Sequence, residues 1–400
     1  MPGSKKMAPF LLRVKRILAL VLPALVLTLG CAGEGEVSQA EVERVLTASW
    51  HSYVRHYISP EGRVVIPERA GGSISEGQAY ALLRALWADD PATFARIFHW
   101  TWNNLSRRQA RSDALLAWHW GRDKDGSEKV LDWNTATDGD LDYALALVLA
   151  AKRGWRPPPG APEYLTEARQ VLKDILALET VRLPGGELLL TPGNWHEDRP
   201  PFLVNPSYYS PAAYRVFAEI QPHAGWERLR DAVYALLPRL ASGMGGLKGV
   251  GLFPDWCRVD DQGRPEPAPA RDSHFGWEAV RLPWRLALDG LWFREEQATG
   301  LLQQRFLPFF QKEWETKGRL VALYGYAGEP LVNYESPVLY TGVLAAALAA
   351  RDQTFARQMA AKILTFYRQE KDRAFFVDPD NYYANNWAWL GLALYAGWVN

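Results

Sequence analysis

Cysteine is nearly absent from this chain: Cys31 and Cys257 are the only two in 400 residues. A disulfide framework is therefore excluded as the source of its stability. Histidine is scarce as well. The seven His are scattered, and no His-Glu-x-x-His pattern or cysteine cluster supplies a metal site. Net charge is missing, with Lys+Arg and Asp+Glu equal at 45 each, so nothing favours nucleic acid or an acidic membrane surface as a partner. Gly245-Gly246-Leu247 and Gly249-Val250-Gly251 lack the Lys-Ser/Thr and the strand–turn–helix setting of a phosphate loop, and no Gly-x-Ser-x-Gly elbow occurs. Long apolar runs are absent except at the start. Ile17 to Leu29, broken only by Pro23 and Thr28, falls short of the about 20 residues that a membrane span requires.

What the chain does have is aromatic side chains: 18 Trp, 17 Tyr and 15 Phe. Many must be core. Trp rarely fits fully inside, however, and flat aromatic faces with a polar edge suit sugar rings, so several are candidates to line a glycan cleft. With 48% hydrophobic and 22% charged residues the composition is globular, and the length suffices for one large core or two domains.

The N-terminus reads as a targeting segment. Lys5, Lys6, Arg13, Lys15 and Arg16 precede the apolar run, in the order of a signal peptide. Thr28-Leu29-Gly30-Cys31 then resembles a bacterial lipobox, in which Cys31 carries lipid after cleavage; Thr28 is a poor match at its position. This predicts an exported chain, either a periplasmic or cell-surface lipoprotein or a freely secreted protein. Residues 1–31 are the signal, 32–39 a tether, and 40–400 a single domain. Cys257 would then have no partner and reads as a small buried hydrophobe.

Beyond the tether the dominant period is helical, with Ala and Leu recurring three and four residues apart. Twelve helices are predicted, over 40–57, 75–88, 91–105, 138–153, 162–178, 209–220, 223–241, 276–293, 295–314, 335–350, 352–369 and 382–397, with short hairpins around 181–191, 247–254, 319–333 and 371–378. Alternate helices open alike, on a polar and aromatic stretch followed by an Ala/Leu run. The openings are Ser75-Glu76-Gly77-Gln78, Ala136-Thr137-Asp138-Gly139-Asp140, Asn205-Pro206-Ser207-Tyr208, Ser273 to Glu278, Tyr334-Glu335-Ser336-Pro337 and Asn381-Tyr382-Tyr383. They recur roughly every 50–70 residues, about one helical hairpin each. A helix that is small and apolar all round belongs inside. Six such inner helices ringed by six amphipathic ones predict an all-α fold, an (α/α)6 barrel with short β hairpins in its loops. All six inner N-termini would open on one rim, gathering Glu76, Asp138, Tyr208, Glu278, Glu335 and Tyr382. Each carboxylate also has a plainer reading as an ordinary helix-start residue.

Ser75-Glu76-Gly77-Gln78-Ala79-Tyr80 resembles the proton-donor signature of glycoside hydrolase family 8, and Ala136-Thr137-Asp138-Gly139-Asp140 resembles the family's second signature. Asn205-Pro206-Ser207-Tyr208, Glu278-Ala279-Val280-Arg281-Leu282-Pro283-Trp284-Arg285 and Tyr382-Tyr383-Ala384-Asn385-Asn386 resemble later segments, so the likeness covers about 45–398. It implies an inverting endo-acting β-1,4-glycanase, most closely a cellulase, that needs no cofactor or metal. Glu76 would be the catalytic acid, Glu278 the base, Asp138 the residue at the distorted sugar, Tyr208 the partner of the attacking water, and Arg281 the residue that sets Glu278. Trp133, Trp195, Trp277 and Tyr382 are candidates to bind substrate, with 192–202 as a cleft wall.

The chain departs from the pattern at the base. Most cellulase-like members carry Asp there, and Glu278 is one methylene longer, so an ion pair to Arg281 or Arg285 is its plainer reading. This departure keeps a second expectation open, a non-hydrolytic glycan-binding or scaffold protein of exopolysaccharide export. Glucan is the expected polysaccharide, xylan and chitosan the alternatives, and the protein is expected to act as a monomer. Tyr143, where the family commonly has Ile or Met, bears on packing. Asp289 reads as a mid-helix ion-pair partner, which weakens it as a site residue, and Glu335 is the weakest of the carboxylates at the rim.

Overall fold

The computed structural model describes residues 37–269 and 271–400. The expected signal segment, the lipidation site at Cys31 and most of the tether lie outside the described residues. Within them the helices are α1 (Gln39–Tyr57), α2 (Ser75–Trp87), α3 (Pro91–Asn104), a single turn α4 (Arg108–Arg111), α5 (Thr137–Lys152), α6 (Tyr164–Leu178), α7 (Pro211–Ile220), α8 (Trp226–Ser242), α9 (Arg281–Phe293), α10 (Glu296–Leu301), α11 (Leu307–Lys317), α12 (Pro337–Ala349), α13 (Gln353–Leu364) and α14 (Tyr382–Tyr395). A π-type turn, Leu302–Phe306, joins α10 to α11. No helix among the described residues is long and apolar enough to cross a membrane.

Six of these helices pack side by side in sequence: α2 on α5, α5 on α7, α7 on α9, α9 on α12, α12 on α14, and α14 back on α2. The first five also pack on the helix that follows each in sequence, α3, α6, α8, α10 and α13, and α14 packs on α1 from the other end of the described chain. Composition explains the division. Ala, Leu and Gly dominate α5, α12 and α14, which lack a polar stripe and so have no face to give to water. In α2 every residue except Glu76 is buried. The outer α3, α6, α8 and α13 bury one face and expose the other.

Small antiparallel sheets decorate the loops. Ser73–Ile74 pairs with His119–Arg122, which pairs with Glu128–Asp132, and this sheet runs straight into the start of α2. Phe202–Val204, Cys257–Val259 and Pro265–Pro267 form a second sheet. Hairpins join Thr180–Arg182 to Leu188–Leu190 and Tyr367–Glu370 to Arg373–Phe376.

Several elements differ from the sequence reading. The helix expected over 276–293 begins at Arg281, because the backbone N–H groups of Gly276, Glu278 and Ala279 are taken by the Asp255 carboxylate. The helix expected over 352–369 ends at Leu364, where the chain turns into the 367–376 hairpin through Lys371 in the left-handed region. Tyr208 closes a 3-10 turn, Pro206–Tyr208, before α7 rather than opening that helix, and Glu335 precedes α12. The 319–333 segment carries only isolated bridges, Phe275 to Tyr324 and Tyr324 to Pro330, where a hairpin was expected.

Candidate active site

The site grows from the starts of α2 and α5. Their N-caps, Ile74 and Ala136, offer no side-chain acceptor. Glu76 and Asp138 lie in the first turns, one residue past the start of each helix, rather than at the cap positions. Asp138 Oδ1 takes the N–H of Gly139 at 2.9 Å, while its Oδ2 points elsewhere. Gly139 lets the two helix starts meet: a Cβ there would stand 2.6 Å from Ser75 Oγ and 3.0 Å from the backbone nitrogen of Glu76.

Arg281, the first residue of α9, joins the acidic residues. Its side chain is 1% exposed. Nη1 donates to Glu76 Oε2 at 2.9 Å and to Asp138 Oδ2 at 2.7 Å, with the Tyr80 hydroxyl at 3.3 Å. Nη2 contacts Glu278 Oε2, and Nε reaches Ser207 Oγ at 3.2 Å. Residues 76, 138 and 278, far apart in the chain, therefore share one guanidinium. The Tyr208 ring packs against the same group, its centroid 5.2 Å from Cζ.

Electrostatics separates the carboxyls. Three acids against one guanidinium would leave two negative charges uncompensated if all were ionised, which a buried site penalises heavily. Burial raises the Glu76 pKa to about 8; Arg281 opposes this, while Asp138 and Glu278 add to it. Burial also raises Glu278, but Arg281 and a hydrogen bond from Asn205 work against that. Asn205 Nδ2 donates to Glu278 Oε2 at 2.8 Å, and its Oδ1 accepts from the Ser207 N–H at 3.0 Å and the Ser207 hydroxyl at 2.6 Å. The Ser207 N–H has only one role to play, and this fixes which end of the amide faces Glu278.

The aromatic candidates divide. Trp195 is 38% exposed, and its Nε1 donates to the Thr135 carbonyl at 3.0 Å. Trp133, two residues before Thr135, packs against Arg111 with 5.5 Å from Cζ to the ring centroid. Trp277 is equally exposed and stands edge-on to Tyr383 at 6.5 Å; the Tyr383 hydroxyl donates to the Trp277 carbonyl at 2.5 Å. Tyr382 is buried. Its hydroxyl lies near Gly77 and has no hydrogen-bond partner among the described residues. Tyr383, its neighbour, is thus the residue of this pair that meets Trp277. Arg285 forms a two-point pair with Asp142 at 2.6 and 2.8 Å, leaving Glu278 to Arg281. Glu335 joins Lys362 at 3.0 Å and the Tyr340 hydroxyl, apart from the Arg281 cluster. Asp289 pairs with Arg215 at 2.8 Å. Sequence reasoning did not single out Asn205, Tyr80, Asp255 or Tyr383. Asn205, Tyr80 and Tyr383 lie within the helix openings and family motifs, whereas no sequence signal points to Asp255.

The chain is mainly helical, and three of its carboxyls converge on one buried arginine. The model of Glycosyl hydrolases family 8 matches residues 28–394, and the chain belongs to that family of glycoside hydrolases. It is similar to Endoglucanase A of Acetivibrio thermocellus, 26% identical over 374 residues that cover 90% of this chain and 70% of that protein. It is 36% identical to an Endoglucanase of Escherichia coli (strain K12) over 215 residues, a stretch that spans about half the length of each, 53% and 54%. Among solved structures, an endo-1,4-D-glucanase from Vibrio fischeri ES114 superposes with a TM-score of 0.69 at 24% identity, covering 87% of this chain and 94% of that one.

Proposed function

We propose that residues 40–400 form a single (α/α)6 catalytic domain that hydrolyses internal β-1,4-glycosidic bonds of a glucan with inversion. The observation that carries this reading is the convergence of Glu76, Asp138 and Glu278 on Arg281. Glu76 is the one residue of α2 that is only partly buried, its side chain 15% exposed, and its raised pKa keeps a proton available near neutral pH. It gives that proton to the glycosidic oxygen as the bond from that oxygen to the anomeric carbon breaks. A water attacks the same carbon from the opposite face and loses its proton to Glu278, giving a hemiacetal of inverted configuration. Inversion needs roughly 6.5–9.5 Å between the two carboxyls. Glu76 and Glu278 are held on different nitrogens of one guanidinium. Arg281 and Asn205 draw the longer Glu278 side chain back, which leaves room for water where an Asp would otherwise be expected. Asp138 contacts the distorted sugar, Tyr208 orients the water, and Trp133, Trp195 and Trp277 supply stacking faces, with the buried Tyr382 supporting the wall. The domain acts as a monomer. It is exported behind the N-terminal segment, anchored by lipid at Cys31 or else secreted.

An assay of new reducing ends on carboxymethylcellulose, barley β-glucan, xylan and chitosan tests the reading, with the first product's anomer read by NMR. Cleavage of the glucans with α-configured first product is expected. Retention of configuration, or binding with no new ends on any of the four polymers, would refute it.

A further inference from the structure

The proposed base sits in a turn, and that turn is fastened from several sides. Asp255 is 4% exposed, and its Oδ1 accepts three backbone N–H groups: Gly276 at 3.0 Å, Glu278 at 3.2 Å and Ala279 at 2.7 Å. Its Oδ2 meets His274 Nε2 at 3.1 Å. Phe275 exchanges two backbone hydrogen bonds with Tyr324, at 2.8 and 3.1 Å. The Tyr383 hydroxyl holds the carbonyl of Trp277. Gly276 is required for this closure, since a Cβ there would lie 2.5 Å from the His274 ring and 2.7 Å from Asp255 Oδ2. The three N–H groups belong to residues before the first helical residue, Arg281, so the carboxylate fixes the pre-helical turn itself. A charged acceptor with several backbone donors makes strong, directional hydrogen bonds. Its negative charge also lies close enough to Glu278 to help raise that group's pKa.

We propose that Asp255 is a positioning residue for hydrolysis: its carboxylate locks the 275–279 turn and thereby places Glu278 for proton abstraction. Asn205 and Arg281 then aim the side chain that the turn has placed. This rests on Glu278 being the base. A displacement of about 1 Å in a reacting group can cost about 10²-fold in rate.

The test is steady-state kinetics over pH on Asp255→Asn and Asp255→Ala beside Glu278→Ala and Glu76→Gln, using a β-glucan and a β-cellooligosaccharyl fluoride, whose leaving group needs no acid. Asp255→Asn keeps the shape and one acceptor; kcat should fall about 10-fold, with KM within about threefold and the acid limb of kcat/KM moved to lower pH. Asp255→Ala should lose about 100-fold. The fluoride should restore turnover to Glu76→Gln but to neither Asp255 variant. If Glu278→Ala is inactive while Asp255→Asn keeps wild-type kcat and acid limb, with or without a lower melting temperature, Asp255 only caps the helix and the proposal fails. If Glu278→Ala retains full rate, the base assignment fails instead, whatever the Asp255 variants do.

Discussion

Glu76 and Glu278 touch the same guanidinium yet are suited to opposite tasks. Burial pushes both up and Arg281 opposes it at both; Glu76 reaches about 8, whereas Glu278 has in addition the hydrogen bond from Asn205 to favour its charged form. Activity should therefore decline on the alkaline side as pH rises through about 8, because the acid loses its proton there. Glu76→Gln should cost about 10²–10⁴ in kcat on polymer, whereas the fluoride substrate should show no alkaline limb in either wild type or variant. A surviving limb on the fluoride would assign it to another group. The polar openings made Glu76, Asp138 and Glu278 visible in the sequence as a set. That one arginine would bridge all three was not visible, because Arg281 had been linked only to Glu278 and nothing in a linear pattern says how many partners a guanidinium accepts. Asp255 was invisible for a related reason: its work is done through backbone N–H groups, which every residue carries.

At the scale of elements, the long Ala/Leu helices were legible because their burial is written in their composition. Their ends were less so. The start of α9 was set by a distant carboxylate, and the end of α13 by a hairpin in which Tyr367–Glu370 is largely exposed and Arg373–Phe376 largely buried. The Glu128–Asp132 strand also escaped notice, since its exposed, charged residues follow the sheet only because His119–Arg122 is already held against Ser73–Ile74. The α2–α5 contact yields a sharp expectation. Gly139→Ala must push against Ser75 Oγ and the start of α2, which should destabilise the fold by about 1–3 kcal/mol. It should also lower kcat more than a remote substitution of equal stability cost does. Chemical denaturation paired with kinetics checks both; wild-type stability would show that the helices separate freely.

For the molecule as a whole, one buried acid pair makes stability depend on pH in an uncommon direction. Asp140 and Glu179 face each other without exposure, near Arg107; Asp140 accepts the Leu116 N–H at 2.8 Å and Glu179 the Thr135 hydroxyl at 2.5 Å. Burial raises Glu179 to about 7 and Asp140 in the same direction. The folded protein thus keeps a proton that the unfolded chain releases above the ordinary carboxylate range. Stability is fully present below that range and is lost as pH rises towards about 7, the reverse of an ordinary ion-paired acid. The melting temperature should fall by a few degrees between pH 5 and 7, and Glu179→Gln should flatten that slope. An unchanged slope in the variant would locate the proton elsewhere.

The burial of α2 has an evolutionary corollary. Twelve of its thirteen side chains answer to neighbours packed on every side, and Glu76 alone faces the open mouth. The proposed acid is thus the one residue of α2 whose side chain is not fully enclosed. Mutation can explore new reactions at that doorway without first renegotiating the interior, so fold and catalysis are free to evolve on separate clocks.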